Sequence, residues 1–480
     1  MKIFSPEISL SFLILFLISQ QLLFYFLFCY KILTKQVTSM NRKIILFLVL
    51  VLLGLTGCNT VDPPPGDKPT FTLKLEDVSC TEAWIELTTT NLQLPTAITL
   101  KQTDPTGDTK SQILNLNTKD SLLYIDSLLP NTSYQYSVSS IEYNVSSSNL
   151  SITTMDTTSH NFTFTTWTFG EHSSSVLYDV AIVGDEIWAV GAIYMNDSLG
   201  NPDPNFYNLL RWNGGGWDFE RIYYNYQGSN FLAPLRSIFA FSSNDIWVGS
   251  NQPMHWTGTL WEKWDLQGNI WEGWINKIWG SNSNDIYVVG NNGNIARYLN
   301  GTWSRIESGT DVDLYDFWGS SDGKIVWACG YTNNYATSIL LKYSGIQLEI
   351  VYEGNSANQN NGYYIGPISG VWGTGSIRIY MMNWGGIYIQ SNNSTLFLEK
   401  EIARFSDVGF GIDGTGNNNI FACGEGFVGH WNGLSYTEYP ELYKDLRTFY
   451  SISTKGNSVC AVGSDYEGFI YSRAVIALAK

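Results

Sequence analysis

The residues that could do chemistry in this chain are few and widely spaced. Four histidines, His160, His172, His255 and His430, never adopt the His-x-x-x-His spacing that lets two imidazoles share a zinc ion. His255 and His430 each precede a tryptophan, Trp256 and Trp431, in similar local settings, which points to a structural role. Carboxylates are the other enzymatic option, because glycoside cleavage needs two of them flanking the scissile bond. Asp185, Asp245, Asp285, Asp311, Asp313 and Asp316 are the candidates. Asp245 and Asp285 stand in repeated turns, where Asp caps its own backbone. Asp311, Asp313 and Asp316 run into a strand. Asp413-Gly414-Thr415-Gly416-Asn417 lacks the later acidic ligand of a calcium loop and reads as a Gly-Asn turn. Neither a Gly-x-Ser-x-Gly elbow, a phosphate-binding loop nor a dinucleotide glycine pattern occurs. The sequence therefore assigns no catalytic residue, no metal ligand and no cofactor.

Aromatic side chains are the richer resource. Trp279, Trp318 and Trp372 occupy the same place in Trp-Gly-Ser/Thr segments, and Phe239 is their equivalent. Rings at a shared position can stack on sugar faces or anchor a protein partner. They can equally pack between neighbouring repeats, and the spacing alone does not choose.

The elements that carry these residues repeat. Asn244-Asp245-Ile246-Trp247-Val248-Gly249 returns as Asn284-Asp285-Ile286-Tyr287-Val288-Val289-Gly290, and related segments end at Gly191, Gly330, Gly424 and Gly463. With Arg378-Ile379-Tyr380 there are seven copies, and Gly249 to Gly290 spans 41 residues. Each copy reads as four short strands: an apolar strand, a polar turn, the Ile-Trp/Tyr-x-Val-Gly strand, then a pair joined by an aromatic-x-Gly turn such as Trp431-Asn432-Gly433. Four strands per copy resembles the blade of a β-propeller, although neither kelch nor WD signatures fit. Ser320-Ser321-Asp322-Gly323 partly resembles a sialidase Asp-box, with its glycine one position early. Residues 161–480 are thus expected to form a propeller of seven blades, with six or eight left open by the long segments 192–210 and 331–364. The last copy lacks an outer strand, and Thr166-Trp167 matches Thr302-Trp303, so residues 161–169 are expected to close the last blade.

Residues 70–156 alternate apolar and polar residues. Leu128-Leu129-Pro130-Asn131-Thr132-Ser133-Tyr134 resembles the E–F corner of a fibronectin type III domain. That resemblance implies a sandwich in which the Tyr134 hydroxyl bonds back to the backbone. The expected fold class is all-β: a fibronectin type III-like sandwich followed by a β-propeller. Upstream, Met40-Asn41-Arg42-Lys43, an apolar run and Leu55-Thr56-Gly57-Cys58 resemble a bacterial lipoprotein signal. The resemblance implies a signal peptide at 40–57, cleavage before Cys58, and lipidation of that cysteine. Residues 58–69, with Pro63-Pro64-Pro65, make a spacer. Residues 1–39, with an uncharged run long enough to cross a bilayer, read as an extension upstream of a start at Met40 or as an extra apolar helix.

Composition narrows the partners. With 27 basic against 43 acidic residues the net charge is −16, which argues against a nucleic-acid partner because phosphate binding needs clustered Lys and Arg. Cys80, Cys329, Cys423 and Cys460 do not read as a disulfide framework; Cys329 and Cys423 replace apolar residues of the repeat, and a pair such as Cys423–Cys460 is the kind of bridge left open. Asn59 after the anchor lacks the aspartate of inner-membrane retention. The sequence thus leads to an outer-membrane lipoprotein, tethered to the bilayer through Cys58, whose propeller binds a glycan or an envelope protein without catalysis. The alternative is an enzyme acting on polysaccharide through carboxylates near the channel.

Overall fold

A computed structural model describes residues 68–226, 228–266, 268–357, 364–375, 378–391, 400–466, 468 and 470–480. Cys58 and the signal segment lie outside the described residues. Among the described residues no helix is long and apolar enough to cross a membrane.

Residues 69–480 form one compact unit built from strands. It begins with a two-sheet sandwich. One sheet orders Thr70–Val78, Ala83–Thr90 and Asp120–Ile125; the other runs Thr109–Leu116, Thr96–Thr103, Ser133–Ser140, with Leu150–Thr153 on the far side of Ser133–Ser140. Alternation fixes the inward faces. Ile85, Leu87, Ile98, Leu100, Tyr136 and Val138 meet in a common core. The Tyr134 hydroxyl accepts a hydrogen bond from Leu129 N–H at 3.0 Å, fastening the corner before the strand Ser133–Ser140.

The rest of the unit is a β-propeller. Seven four-stranded antiparallel sheets follow one another, each in simple up-and-down order. They cover residues 176–220, 237–263, 275–306, 314–355, 368–404, 409–438 and 447–479, numbered blades 1 to 7. Phe164–Phe169 pairs with Arg473–Ala479 and supplies the outer strand of blade 7, so the two ends of the propeller sequence lie side by side.

The second strand of each blade is buried on both faces, which is why it reads as an almost unbroken apolar run. All residues of Asp285–Gly290 and of Arg378–Asn383 are buried. The core therefore sits between blades: Tyr287 and Ile295 of blade 3 pack with Leu314, Phe317 and Val326 of blade 4. Gly191, Gly330, Gly424 and Gly463, which end the motif, face the backbone at the start of their own blade's first strand, and Gly249 faces Ile275 of the next blade. A Cβ on Gly330 would lie 2.9 Å from Leu314 Cα, so the backbones approach only without a side chain.

One polar device recurs within the blades and accounts for two histidines. The residue opening the second strand pairs with a basic or imidazole group on the third strand, and that group lies over the aromatic ring two residues on. Asp245, His255 and Trp247 make one set: His255 Nε2 is 2.7 Å from Asp245 and its ring stacks on Trp247 at 4.4 Å. Arg297 Nε donates to Asp285 at 2.7 Å, with its guanidinium 4.9 Å from the Tyr287 ring. Arg211 repeats the arrangement with Glu186 and Trp188, and His430 with Asn419 and Phe421. Asp245 and Asp285 are thus cross-strand partners, a correction to the turn-capping role expected of them. Cys80, Cys329, Cys423 and Cys460 are buried free thiols; Cys423 and Cys460 are not bridged.

Candidate functional site

The first strands surround the central channel, and a bulge in most of them sets which side chains face it. Matching register across the blades gives three rows. The entry row is Tyr178, Arg236, Asn276, Tyr315, Ser369, Phe410 and Tyr450. One residue on, the waist holds Asp179, Ser237, Lys277, Asp316, Gly370, Gly411 and Ser451. Two further on lie Ala181, Phe239, Trp279, Trp318, Trp372, Asp413 and Ser453.

The polar waist first of all ties the ring together. Asp179 Oδ2 accepts from Ile238 N–H of the next blade at 3.0 Å and from Ser237 Oγ at 3.1 Å; Oδ1 accepts from Ser451 Oγ of blade 7 at 2.6 Å and from Lys277 Nζ at 3.1 Å. Asp316 accepts from Val371 N–H at 2.9 Å, and Asp413 from Thr454 N–H at 2.6 Å. A carboxylate thus repeatedly satisfies a backbone donor on the neighbouring blade, which would otherwise be orphaned beside the channel.

The electrostatics follow from this placement. Burial pushes the Asp316 carboxyl up to about 6, against the pull of Lys277 and the Val371 N–H. Burial likewise raises Asp413 to about 6, opposed by N–H groups of Thr454 and Gly414. Burial alone would discharge Lys277, but Asp179, Asp316 and Asp413 outweigh it and hold the ammonium charged. Among the described residues no group of three or more His, Cys, Asp or Glu is arranged to hold a metal.

The aromatic row predicted as a binding platform is present as a row, with each ring beside an aromatic of its second strand: Phe239 opposite Trp247, Trp279 opposite Tyr287, Trp318 opposite Trp327, Trp372 opposite Tyr380. The four line a cavity of about 400 Å³ at one end of the channel. Each tryptophan, however, lies over the glycine that follows the equivalent position of the next blade, which is Trp318, Trp372 or Asp413. A Cβ on Gly319 would meet Trp279 Cζ2 at 2.7 Å, one on Gly373 Trp318 at 3.0 Å, one on Gly414 Trp372 at 2.9 Å. This is the physical meaning of the repeated Trp-Gly pair: a ring wedged against the neighbour's bare backbone. Trp279 and Trp372 are only 8% and 6% exposed, which leaves little ring surface for a ligand; Phe239 and Trp318 are half-buried.

The opposite opening is better furnished. All seven entry-row residues line a cavity of about 290 Å³, with Tyr331, Asp179, Lys277 and Asp316 in its wall and floor. Tyr178, Tyr315, Phe410 and Tyr450 are half-buried there. Tyr178 and Phe410 lie 6.3 and 5.9 Å from Tyr450, and Tyr315 stacks on Tyr331 at 4.5 Å. Burial, reinforced by Asp313, raises the Tyr315 hydroxyl to about 12, so it stays a neutral hydrogen-bonding group. The sandwich docks on the other face, against the blade 6 turn between first and second strands, through Asn417, while Asn418 bonds the connecting segment at Asp156. It leaves the tyrosine-lined mouth open.

The fold has counterparts among solved structures. The WD40 β-propeller domain of Doa1 aligns at TM-score 0.46 and 12% identity, over 65% of this chain and 95% of that one. YCF48 from Cyanidioschyzon merolae aligns at TM-score 0.43 and 14% identity, over 65% and 98%. The extracellular domain of a hybrid two-component system from B. thetaiotaomicron aligns at TM-score 0.34 and 14% identity, over 64% and 46%. No family model matches the chain, and no curated protein matches it. At such identities the likeness is one of fold alone.

The entry row escaped the sequence reading because its seven residues share no type. Only the position, one before the waist residue of each first strand, marks it, and a register is needed to see that.

Proposed function

We propose that this chain is a membrane-tethered binding protein of the cell envelope, anchored through lipidated Cys58 and held off the bilayer by its linker and a fibronectin type III-like sandwich. In this reading the propeller receives a glycan or a protein partner at the mouth lined by Tyr178, Tyr315, Phe410 and Tyr450. The observation that carries it is the convergence of seven side chains, one from each blade, on a single open cavity with aromatic walls. The sandwich order, with Thr70–Val78, Ala83–Thr90 and Asp120–Ile125 on one sheet, and the Tyr134 hydroxyl bond support the fibronectin-like reading.

An enzyme acting on polysaccharide has one observation in its favour, the raised Asp316 and Asp413. Both already serve as acceptors for backbone donors of the next blade, so binding accounts for the site with fewer conflicting duties.

The test is a glycan array and an envelope pull-down with full-length protein in detergent, run beside Tyr178→Ala and Tyr450→Ala. Capture that both variants lose supports the reading. Capture that both retain, with the variants folded, places binding elsewhere and overturns it. Separately, a Cys58→Ser variant should lose incorporation of a labelled fatty acid and leave the membrane fraction; retention of the label would end the anchor assignment.

A further inference from the structure

Arg236 is the unusual member of the entry row. Its guanidinium carbon lies 4.5 Å from the centre of the Trp274 ring and 5.4 Å from that of Tyr178. Stacking of this kind holds a guanidinium in place and leaves its edge free for an acceptor. Yet among the described residues no carboxylate lies within ion-pair distance of it, and its Nε is buried without a hydrogen-bond partner. The Nε of Arg211, Arg378 and Arg473 is likewise buried without a hydrogen bond, but Arg473 donates to Thr168 C=O and the other two reach a carboxylate. Arg211, Arg221, Arg297, Arg378 and Arg447 all meet an Asp or Glu, and acidic residues outnumber basic ones 43 to 27. The Nε of Arg236 is itself enclosed, but neither Nη meets an acceptor among the described residues, so these terminal groups are the ones a ligand can satisfy. Arg236 lines the open cavity of about 290 Å³, so the acceptor can come from a ligand.

We propose that this mouth takes a saccharide carrying a single carboxylate, a uronic-acid residue, with the carboxylate on Arg236; the inference rests on the binding reading above. The surroundings select within the anion class. Asp179 and Asp316 share the cavity, and two carboxylates against the single ammonium of Lys277 disfavour a second negative charge, while Asn276 and Ser369 bring polar groups that suit hydroxyls. Tyr178, Tyr450 and Phe410 offer faces to the C–H surface of a sugar ring. A run of acidic side chains on a peptide would bring several charges to a protein whose net charge is −16. One carboxylate among hydroxyls meets all of these constraints.

The experiment is calorimetric titration of the full-length protein in detergent with methyl glucuronide, methyl galacturonide, methyl glucoside and an acetylated glutamate peptide. Arg236→Gln, Arg236→Lys and Tyr178→Ala are titrated in parallel, each checked for an unchanged thermal transition. The expected result is uronide binding over the neutral glycoside, weakened at least tenfold in Arg236→Gln and in part restored in Arg236→Lys. Equal binding of uronide and glucoside, unaffected by Arg236→Gln but lost in Tyr178→Ala, overturns the carboxylate assignment and leaves the binding mouth standing. Binding of the glutamate peptide alone overturns the saccharide class. No binding of any probe overturns the carboxylate inference, and the array and pull-down then decide the broader reading.

Discussion

The Arg378 guanidinium of the propeller lies 4.3 Å from the centre of the Trp84 ring of the sandwich. Around it, Nη1 donates to Glu82 at 3.2 Å, Nη2 comes within 2.9 Å of Asp77, and Lys400 Nζ meets Glu82 at 2.7 Å. Arg378 and Glu82 are 1% and 3% exposed. The two domains are therefore joined by desolvated charges as well as by the chain. Asn417 adds bonds to Asp77 and to Val78 C=O, and Asn418 and Asn432 bond the connecting segment at Asp156 and Thr158.

Breaking one partner of such a buried pair strands the other. Arg378→Gln should cost about 3–5 kcal/mol at the interface. The parent is expected to unfold in one calorimetric transition and the variant to show a separate sandwich transition, with limited proteolysis cutting within residues 154–163. A single unshifted transition would mean that the interface charges contribute nothing.

The Trp-Gly wedge gives a sharper test of packing. Gly319→Ala places a methyl group inside contact distance of Trp279, and overpacking costs about 1–3 kcal/mol. Trp279→Phe in the same chain removes the ring atoms that clash. Urea unfolding should show the double variant losing less than the sum of the two singles. Strict additivity would mean that the two residues do not meet.

Much of the propeller was legible because its second strands are buried on both faces and so repeat as apolar runs closed by glycine. The strand order at the ring closure was legible for a similar reason: Trp167 packs on Trp212 and Trp217 of blade 1 as an outer-strand aromatic, the type that Trp303 represents in blade 3. The proposed binding mouth was not legible. Tyr178, Arg236 and Asn276 share a geometric row and no chemistry, so repetition hides them, while the rings that do repeat, Trp279, Trp318 and Trp372, repeat because packing demands it. His255 and His430 read as structural from their places before Trp256 and Trp431, but their third-strand pairing with Asp245 and Asn419 needed the register.

The thiols offer an independent check on burial. Burial pushes the Cys80 thiol up to about 11 and those of Cys329, Cys423 and Cys460 higher still. A thiol reagent at pH 8 should label these four only as the protein unfolds, because the thiolate is the reactive form. Prompt labelling of Cys423 in the folded protein would contradict the packing between blades 6 and 7, and of Cys460 that between blades 7 and 1.

Acid stability should reveal two opposed contributions. His160 Nδ1 and His430 Nδ1 lie 3.0 Å apart, where the connecting segment meets blade 6; His430 Nε2 is 2.9 Å from Asn419 Oδ1, and His160 Nε2 is 3.0 Å from Ser435 Oγ. One proton assignment satisfies the whole chain: Ser435 donates to His160, His160 to His430, and His430 to Asn419, with both rings neutral. Burial, then the neighbouring His160, drops His430 from 6.5 to about 3, and burial lowers His160. The unfolded chain therefore binds protons that the folded one refuses, and this pair loses stability as pH falls below about 6.5. Asp316 and Asp413 act in the other sense. Their folded values near 6 exceed the ordinary 3.8, so the folded protein binds more protons, and their contribution strengthens as pH falls from about 6 to about 4. Relative to the parent, His430→Phe should make urea stability rise more on acidification across that window, and Asp316→Asn with Asp413→Asn should make it fall more steeply. Shifts of the same sign in both variants would show that the channel carboxylates and the histidine pair are not the groups that set the acid response.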